Sequence, residues 1–306
     1  MLQRQAQLRR LVLFANPTAG RGRAVKLARA VGELAGGLKF DVRYEFERPQ
    51  QLTAQQLADV GPDDVVATVG GDGTLRSVAE RVTALLPEDR WPAFGMLPMG
   101  TANLMSQHLG IERIRRRPEK LAAMLAGGKT RLIDAGDVNG KLFLMMVGVG
   151  LDADVVHALD AVRNGPITKL SYVLPTVRTF GRYTFEPVTV KVAGRVVFGP
   201  APALVFVGNI AEYGTGFPVL HEARSDDRLL DLCVLPCHDR MALVQVALAQ
   251  AMAEHANLPE AVYAKTSDLI EIEAARPMHF QIDGDPGGQT PAAVTLRNHG
   301  VRLLHP

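Results

Sequence analysis

Apolar residues recur along this chain with two grammars, and the change comes near Asp134. Before it, short β-prone runs alternate with stretches of helical spacing. Leu11–Ala15 reads as a strand, and Ala24–Leu34 as a helix on Val25, Leu27, Ala28, Val31 and Leu34. Phe40–Phe46 and Gln50–Val60 repeat strand and helix. The run from Val65 does so again, with Leu75, Val78, Ala79, Val82 and Leu86 marking its helix, and Ala93–Leu97 with Leu104–Leu109 closes the series. Such alternation predicts a parallel, doubly wound α/β sheet.

After Asp134, strands are expected at Phe143–Val149, Val188–Val192, Ala203–Val207, Leu229–Leu235, Ile270–Ile272, His279–Ile282 and Ala293–Leu296. Gly, Pro and Asp turns separate them, with helical interruptions at Ile167–Phe180 and Arg240–Ala256. This predicts a mostly antiparallel β-sandwich as a second domain. The expected division is 1–132 and 133–296, with a final strand within 297–306 as a candidate to rejoin the first sheet. A length of 306 residues agrees with two domains.

The chemistry-bearing stretches follow strands of the first domain. Val65-Val-Ala-Thr-Val-Gly-Gly-Asp-Gly-Thr ends an apolar run in glycines around one carboxylate, just before a helix. Strand, glycine turn and helix point backbone N–H groups at an anion, and glycine lets a phosphate approach closely. A plain tight turn is the competing reading. Asn16-Pro-Thr-Ala-Gly-Arg-Gly and Pro98-Met-Gly-Thr-Ala-Asn also follow strands. All three loops should gather at one sheet edge, where such folds bind ligands.

Composition narrows the partners. A formal net charge of +2 is too small to argue for nucleic acid, and is compatible with anionic substrates or membrane surfaces. Ala242–Ala253 is too short for a membrane span and carries glutamines. The polar N-terminus lacks a secretory apolar core, so a cytoplasmic protein is expected. The two cysteines, Cys233 and Cys237, with His238 make half a zinc site at most.

Together, Asn16-Pro-Thr-Ala-Gly-Arg-Gly, Gly70-Gly-Asp-Gly-Thr and Gly100-Thr-Ala-Asn resemble the diacylglycerol kinase catalytic domain family, which includes bacterial lipid kinases and sphingosine kinases. Asp134-Ala-Gly-Asp, Gly148-Val-Gly-Leu-Asp-Ala, Val207-Gly-Asn-Ile, Ser225-Asp-Asp-Arg-Leu-Leu-Asp and Gln281-Ile-Asp-Gly-Asp extend the resemblance over nearly the whole chain. It implies a phosphofructokinase/NAD-kinase-like first domain binding ATP, and a lipid in the cleft between domains. By position, Asn16, Pro17, Thr18 and Gly20 fall in the first nucleotide loop. Gly71, Asp72, Gly73 and Thr74 would hold phosphate and metal, and Thr101 would complete the ATP site. Asp283 matches the family's general base, and Asp285 with Asp72 would hold the catalytic Mg²⁺. Arg21, Asp72 and Asp134 match a charged network, and Asp227 a structural Mg²⁺ site.

The resemblance therefore implies an ATP-dependent lipid kinase of phospholipid metabolism, cytoplasmic and peripheral at the inner face of the membrane. Its acceptor would be a hydroxyl of a diacylglycerol-like or sphingoid lipid; the oligomeric state stays open, a homodimer included. Alternatives are a kinase of a soluble metabolite and a catalytically silent nucleotide- or lipid-binding protein. The second draws on departures from the family pattern, namely Arg76-Ser77 where Asn-Glu is common and Asp285 where Glu is usual. Arg228 stands where glycine is usual, at a turn that favours positive φ. Asp283-Gly284 could equally be a hairpin turn. Arg113, Arg115, Arg116, Arg117 and Lys120 are either a headgroup-binding run or a solvated helix face. Ile167–Phe180 could line an acyl cleft or pack on the sheet. His108, His157 and His221 show no ligand spacing.

Overall fold

The structure, a computed structural model, describes residues 9–17, 22–38, 40–161, 173–213, 217–252, 255 and 258–306. It divides into two compact units, Met1–Leu132 with Val301–Pro306, and Ile133–Gly300. Thr18, Gly20 and Arg21 lie outside the described residues, as does 167–172 of the expected helix Ile167–Phe180.

Unit 1 runs β1 (Arg9–Ala15), α1 (Arg23–Gly37), β2 (Phe40–Glu45), β3 (Val65–Gly70), α2 (Asp72–Leu85), β4 (Ala93–Pro98), α3 (Leu104–His108), α4 (Pro118–Gly127) and β5 (Thr130–Ile133). A last strand, β19 (Val301–Leu304), joins them from the chain's end, giving a six-stranded sheet of order β2-β1-β3-β4-β19-β5. β1 pairs parallel with β2 and β3, β3 with β4, and β4 with β19. Every residue of β3 and β4 is buried, as expected for central parallel strands covered on both faces. Arg302 secures β19 by donating to the carbonyls of Pro62 (2.7 Å) and Trp91 (2.8 Å).

The expected helix over Gln50–Val60 is instead two short 3₁₀ turns, Pro49–Gln51 and Gln55–Leu57. Local side chains outcompete the helix there: the Gln56 carboxamide oxygen accepts from both the amide and the hydroxyl of Thr53. Only Leu52, Leu57 and Val60 of the segment are buried, too few to hold an amphipathic helix against the sheet.

Unit 2 comprises β6 (Gly136–Val138), β7 (Lys141–Phe143), β8 (Met146–Val149), α5 (Leu151–Ala161), α6 (Val173–Arg182), β9 (Pro187–Val192), β10 (Arg195–Gly208), β11 (Glu212–Tyr213), β12 (Phe217–Pro218), β13 (Leu230–Pro236), α7 (Arg240–Ala251), β14 (Val262–Thr266), β15 (Ile270–Ala274), β16 (His279–Ile282), β17 (Asp285–Gln289) and β18 (Ala292–Leu296). Its main sheet has the order β17-β16-β8-β10-β9-β15-β18-β6-β7, with β13 on β10 and β14 on β13. The pairings are antiparallel. β10 ties the halves together. Its exposed first half pairs with β9, and its buried second half with β8 and β13. Phe143, Val190, Phe206, Leu232, Ile270 and Phe280 anchor the core.

Packing in unit 1 leaves no room at Gly95 of β4. A Cβ there would lie 2.5 Å from Leu125 Cδ2 on α4 and 3.0 Å from the Ala67 Cβ on β3. Gly95→Val should therefore destabilise the protein by about 1–3 kcal/mol through overpacking, read as a lower urea midpoint with an unchanged slope.

Candidate active site

β1, β3 and β4 are parallel neighbours, so the loops after them leave the same end of the sheet. The chain passes from β1 outward to β2 on one side and to β3 and β4 on the other, which makes this end a topological switch point. The Asn16 amide donates to the Val69 carbonyl at 3.2 Å and ties the first loop to the end of β3; Pro17 after it is exposed. The second and third loops touch through glycine. A Cβ on Gly100 would meet the Gly71 Cα at 2.6 Å and Asn103 Oδ1 at 2.7 Å. Only bare backbone fits.

Gly71 precedes α2, and Asp72, Gly73 and Thr74 form its first turn. The amides of Thr74 and Leu75 return to the Gly71 carbonyl at 3.0 and 3.2 Å, and no side chain caps the helix. An uncapped N-terminus beside glycine backbone suits an anion, through its amides and the positive end of the helix dipole. Asp72 is half-buried and serves the neighbouring loop: its carboxylate accepts from the amides of Leu104 (2.9 Å) and Met105 (3.1 Å). Asn103, buried at φ 51°, donates to the Gly100 carbonyl at 3.0 Å and closes the loop in which Thr101 is exposed. Asparagine tolerates this left-handed backbone, a usable signal for a structural role at Asn103. Arg76 pairs with Glu80 along α2 at 3.7 Å.

In unit 2, Asp283 and Gly284 join β16 to β17 with φ of 51° and 84°. A two-residue hairpin with both φ positive is the turn that Asp-Gly favours. Yet Asp283 is only 7% exposed. Its carboxylate accepts three backbone bonds of 2.9 Å, from Leu144 to Oδ2 and from Met145 and Met146 to Oδ1. The expected strand Phe143–Val149 is accordingly broken into β7 and β8, because the amides between them turn to a side chain instead of a ladder. Asp285 follows, half-buried, opposite Ile282. Gln281 supports the turn by accepting from the Gly284 amide at 2.8 Å.

Three other motif segments meet at Asp134, which is fully buried. Its carboxylate accepts from the Arg228 amide at 2.7 Å and from that residue's guanidinium at 3.3 Å. Its own amide donates to the Ser225 carbonyl (2.7 Å), and its carbonyl accepts from Asn209 Nδ2 (2.7 Å). Arg228 sits at φ 62°, the left-handed conformation expected for a position where glycine is usual. Asp227 beside it accepts from the Leu229 amide at 3.2 Å.

His157 is less isolated than its sequence position suggests. Its ring stacks on His279 with centroids 4.1 Å apart, and its Nε2 donates to the Phe280 carbonyl at 3.1 Å. His279 Nδ1 bonds Asp154 at 2.7 Å. These contacts tie α5 to the strand that ends in Asp283. Among the described residues, no group of three or more His, Cys, Asp or Glu is arranged to hold a metal ion. Cys233 and Cys237 are free, buried thiols that burial pushes up to about 12, so neither is a thiolate. Arg113, Arg116, Arg117 and Lys120 are exposed, and Arg115 pairs with Glu112 at 2.6 Å. No helix among the described residues is long and apolar enough to cross a membrane.

Glycine loops at a switch point, with an uncapped helix end beside them, give this α/β protein a sheet edge whose geometry suits an anion. Comparison with known proteins narrows that class. The description "Diacylglycerol kinase catalytic domain" matches residues 10–138, and "YegS C-terminal NAD kinase beta sandwich-like domain" matches 145–305. A "Probable lipid kinase YegS-like" of Pseudomonas aeruginosa (strain UCBPP-PA14) is 31% identical over 279 residues, 90% of this chain and 87% of that protein. A "Diacylglycerol kinase" of Bacillus subtilis (strain 168) is 27% identical over 238 residues, 77% of this chain and 76% of that protein. The crystal structure of a diacylglycerol kinase from Bacillus anthracis str. Sterne shares the fold, with a TM-score of 0.70 at 19% identity, covering 99% of this chain and 98% of that one. The chain belongs to the diacylglycerol kinase catalytic domain family and is a kinase.

Two outcomes follow from the geometry of unit 2. Asp283→Asn replaces one acceptor oxygen by an NH₂ that faces backbone amides, so it should cost about 1–3 kcal/mol in denaturant unfolding. The second concerns His157, whose imidazole burial holds below its ordinary value of 6.5, with His279 acting in the same direction and the Phe280 and Asp154 contacts opposing. The unfolded chain takes up a proton near pH 6.5 that the folded chain resists. Stability therefore falls as pH drops below about 6.5 and is fully present above it. His157→Gln should flatten part of that acid loss in thermal melts between about pH 5 and 7.5; the buried His255, lowered in the same way, contributes in the same direction.

Proposed function

We propose that this kinase transfers the γ-phosphate of ATP to a hydroxyl of a diacylglycerol-like or sphingoid lipid, with Asp283 as general base. The observation that carries the reading is the Asp283 carboxylate, buried at a hairpin tip and oriented by three backbone amides. ATP is the co-substrate that family membership implies, and the lipid acceptor follows the names of the relatives.

ATP is assigned to unit 1. The amides around Gly71, Asp72, Gly73 and Thr74, with the loops of Asn16 to Gly20 and of Thr101, would meet its phosphates. Phosphoryl transfer asks mainly for positioning and for neutralisation of charge spread over the γ-phosphoryl oxygens. Mg²⁺ would be held by Asp72 and Asp285, whose hard oxygen donors suit it, and when bound it would neutralise phosphate charge. A carboxylate offers about four acceptor sites, so the two amide bonds to Asp72 do not exclude a cation. Asp227 would give a second, structural Mg²⁺ one carboxylate. Asp283 takes the proton from the lipid hydroxyl as that oxygen bonds the γ-phosphorus, and the bond to the ADP oxygen breaks. Arg21, Asp72 and Asp134 would form a charged network; Asp134 also serves Arg228 within its own unit. The enzyme would act peripherally, from the cytoplasmic face of a membrane.

The test is transfer of radiolabel from γ-labelled ATP to a lipid extract in mixed micelles with Mg²⁺. Wild type should give a labelled lipid, and Asp283→Asn should lower kcat by about 10²–10⁴-fold while still binding ATP. Because that substitution also disturbs the amides of Leu144–Met146, its melting temperature is measured alongside. Label appearing only in water-soluble product would replace the lipid by a soluble acceptor. ATP binding with no transfer to any acceptor would reduce the protein to a silent binder.

A further inference from the structure

α7 of unit 2 is apolar on both of its faces. Ala242, Leu243, Val246 and Ala249 are buried in the core. On the opposite side Met241, Val244, Leu248 and Met252 are 67%, 42%, 57% and 62% exposed. At about 100° per residue these four fall within roughly 80° of arc, one continuous stripe. Across its twelve residues the helix has no acidic side chain and one basic, Arg240. A water-facing helix normally puts charge on its outer face, so an apolar outer stripe marks a surface meant for something other than water.

The surroundings indicate what covers it. The Asp239 side chain caps the helix by accepting from the Ala242 amide at 2.8 Å, and so fixes its start. Arg240 donates to the Gly181 carbonyl at 2.9 Å, which brings the end of α6 alongside. Arg178 and Arg182 of α6 are exposed there with Val177, itself 63% exposed. Among the described residues none of these three arginines pairs with an acidic side chain, so the stripe has a basic border. The stripe offers a few hundred Å², well short of the ~800 Å² per partner of a standard protein interface, which argues against a second copy. Twelve residues span about 18 Å, too short to cross a bilayer and enough to lie in its surface.

We infer that the Met241–Val244–Leu248–Met252 stripe with Arg178, Arg182 and Arg240 is the face by which this protein docks on an anionic bilayer, the apolar side chains entering the acyl boundary and the arginines meeting phosphate headgroups. The inference rests on the lipid-acceptor reading and gives it a surface. Among the described residues, the basic run of Arg113–Lys120 in unit 1 has no comparable apolar stripe.

The experiment is flotation on phosphatidylcholine vesicles with and without phosphatidylglycerol, in the absence of ATP. Three forms are compared: wild type, Met241→Gln/Leu248→Gln/Met252→Gln, and Arg178→Gln/Arg182→Gln. All substituted positions are exposed, and unchanged melting temperatures confirm folding. Wild type should prefer the anionic vesicles, the first variant should bind them about tenfold or more weakly, and the second should lose the anionic preference and the salt sensitivity. Equal binding by the first variant, or no binding by wild type, overturns the inference. So does a dimeric wild type that the first variant renders monomeric with vesicle binding unchanged. In detergent-dispersed lipid the first variant should keep the wild-type phosphorylation rate. If no protein phosphorylates lipid while the vesicle results hold, the docking face stands and the lipid-acceptor reading falls.

Discussion

A buried carboxylate must find hydrogen-bond donors, and Asp283 finds three in the backbone of a neighbouring segment. The consequences spread outward from that side chain. The amides of Leu144–Met146 leave the sheet ladder, so β7 and β8 become separate strands on distant parts of the same sheet. β8 then lies between β16 and β10, placing the Asp283 hairpin at the sheet's end. On the other flank α5 holds β16 through the stacked His157 and His279 and through the Asp154 bond. The carboxylate is thus clamped from its own turn, from the strand break and from a helix.

Unit 1 uses the same chemistry at smaller scale. Asp72 takes the amides of Leu104 and Met105, and Asp64 takes those of Arg10 and Gly61. Each acid fixes a loop at a strand end, and at Gly71 and Gly100 the loops come so close that no side chain fits between them. Structural and functional readings of these acids are therefore not rivals. A carboxylate whose orientation is already determined by backbone donors gives up little further entropy when a substrate or cation arrives.

The two-part fold was legible because each part has a clean period, alternation of strands with helices in one and closely spaced strands in the other. The glycine motifs could be placed at strand ends for the same reason. What escaped were features set by contacts between distant residues. The break at Leu144 and Met145 depends on Asp283, and an unbroken apolar run gives no sign of it. The failed helix after Pro49 lost to local bonds of Thr53 and Gln56 that periodicity ignores. His157 and His279 lie on separate elements, and only the packing of α5 on β16 brings their rings together. In α7 apolar residues lie on both the buried and the exposed face, so the pattern cannot say which of them the core covers.

Arg228 shows how a departure from a family pattern can be stabilised. A non-glycine residue in the left-handed region costs about 1–2 kcal/mol, and glycine would avoid that cost. Arginine offsets it with contacts glycine cannot make. Its backbone amide donates to one oxygen of the buried Asp134 and its guanidinium to the other, while a second guanidinium nitrogen donates to the Arg297 carbonyl. The amide bond would survive with glycine; the charge-assisted bond and the tether to Arg297 would not. A buried carboxylate is far more expensive unpaired than a strained φ, so the trade favours arginine wherever no other cation reaches Asp134. The turn remains a left-handed one in either case. The left-handed backbone conformation is the physical requirement of this turn, and the side chain is free to add to it.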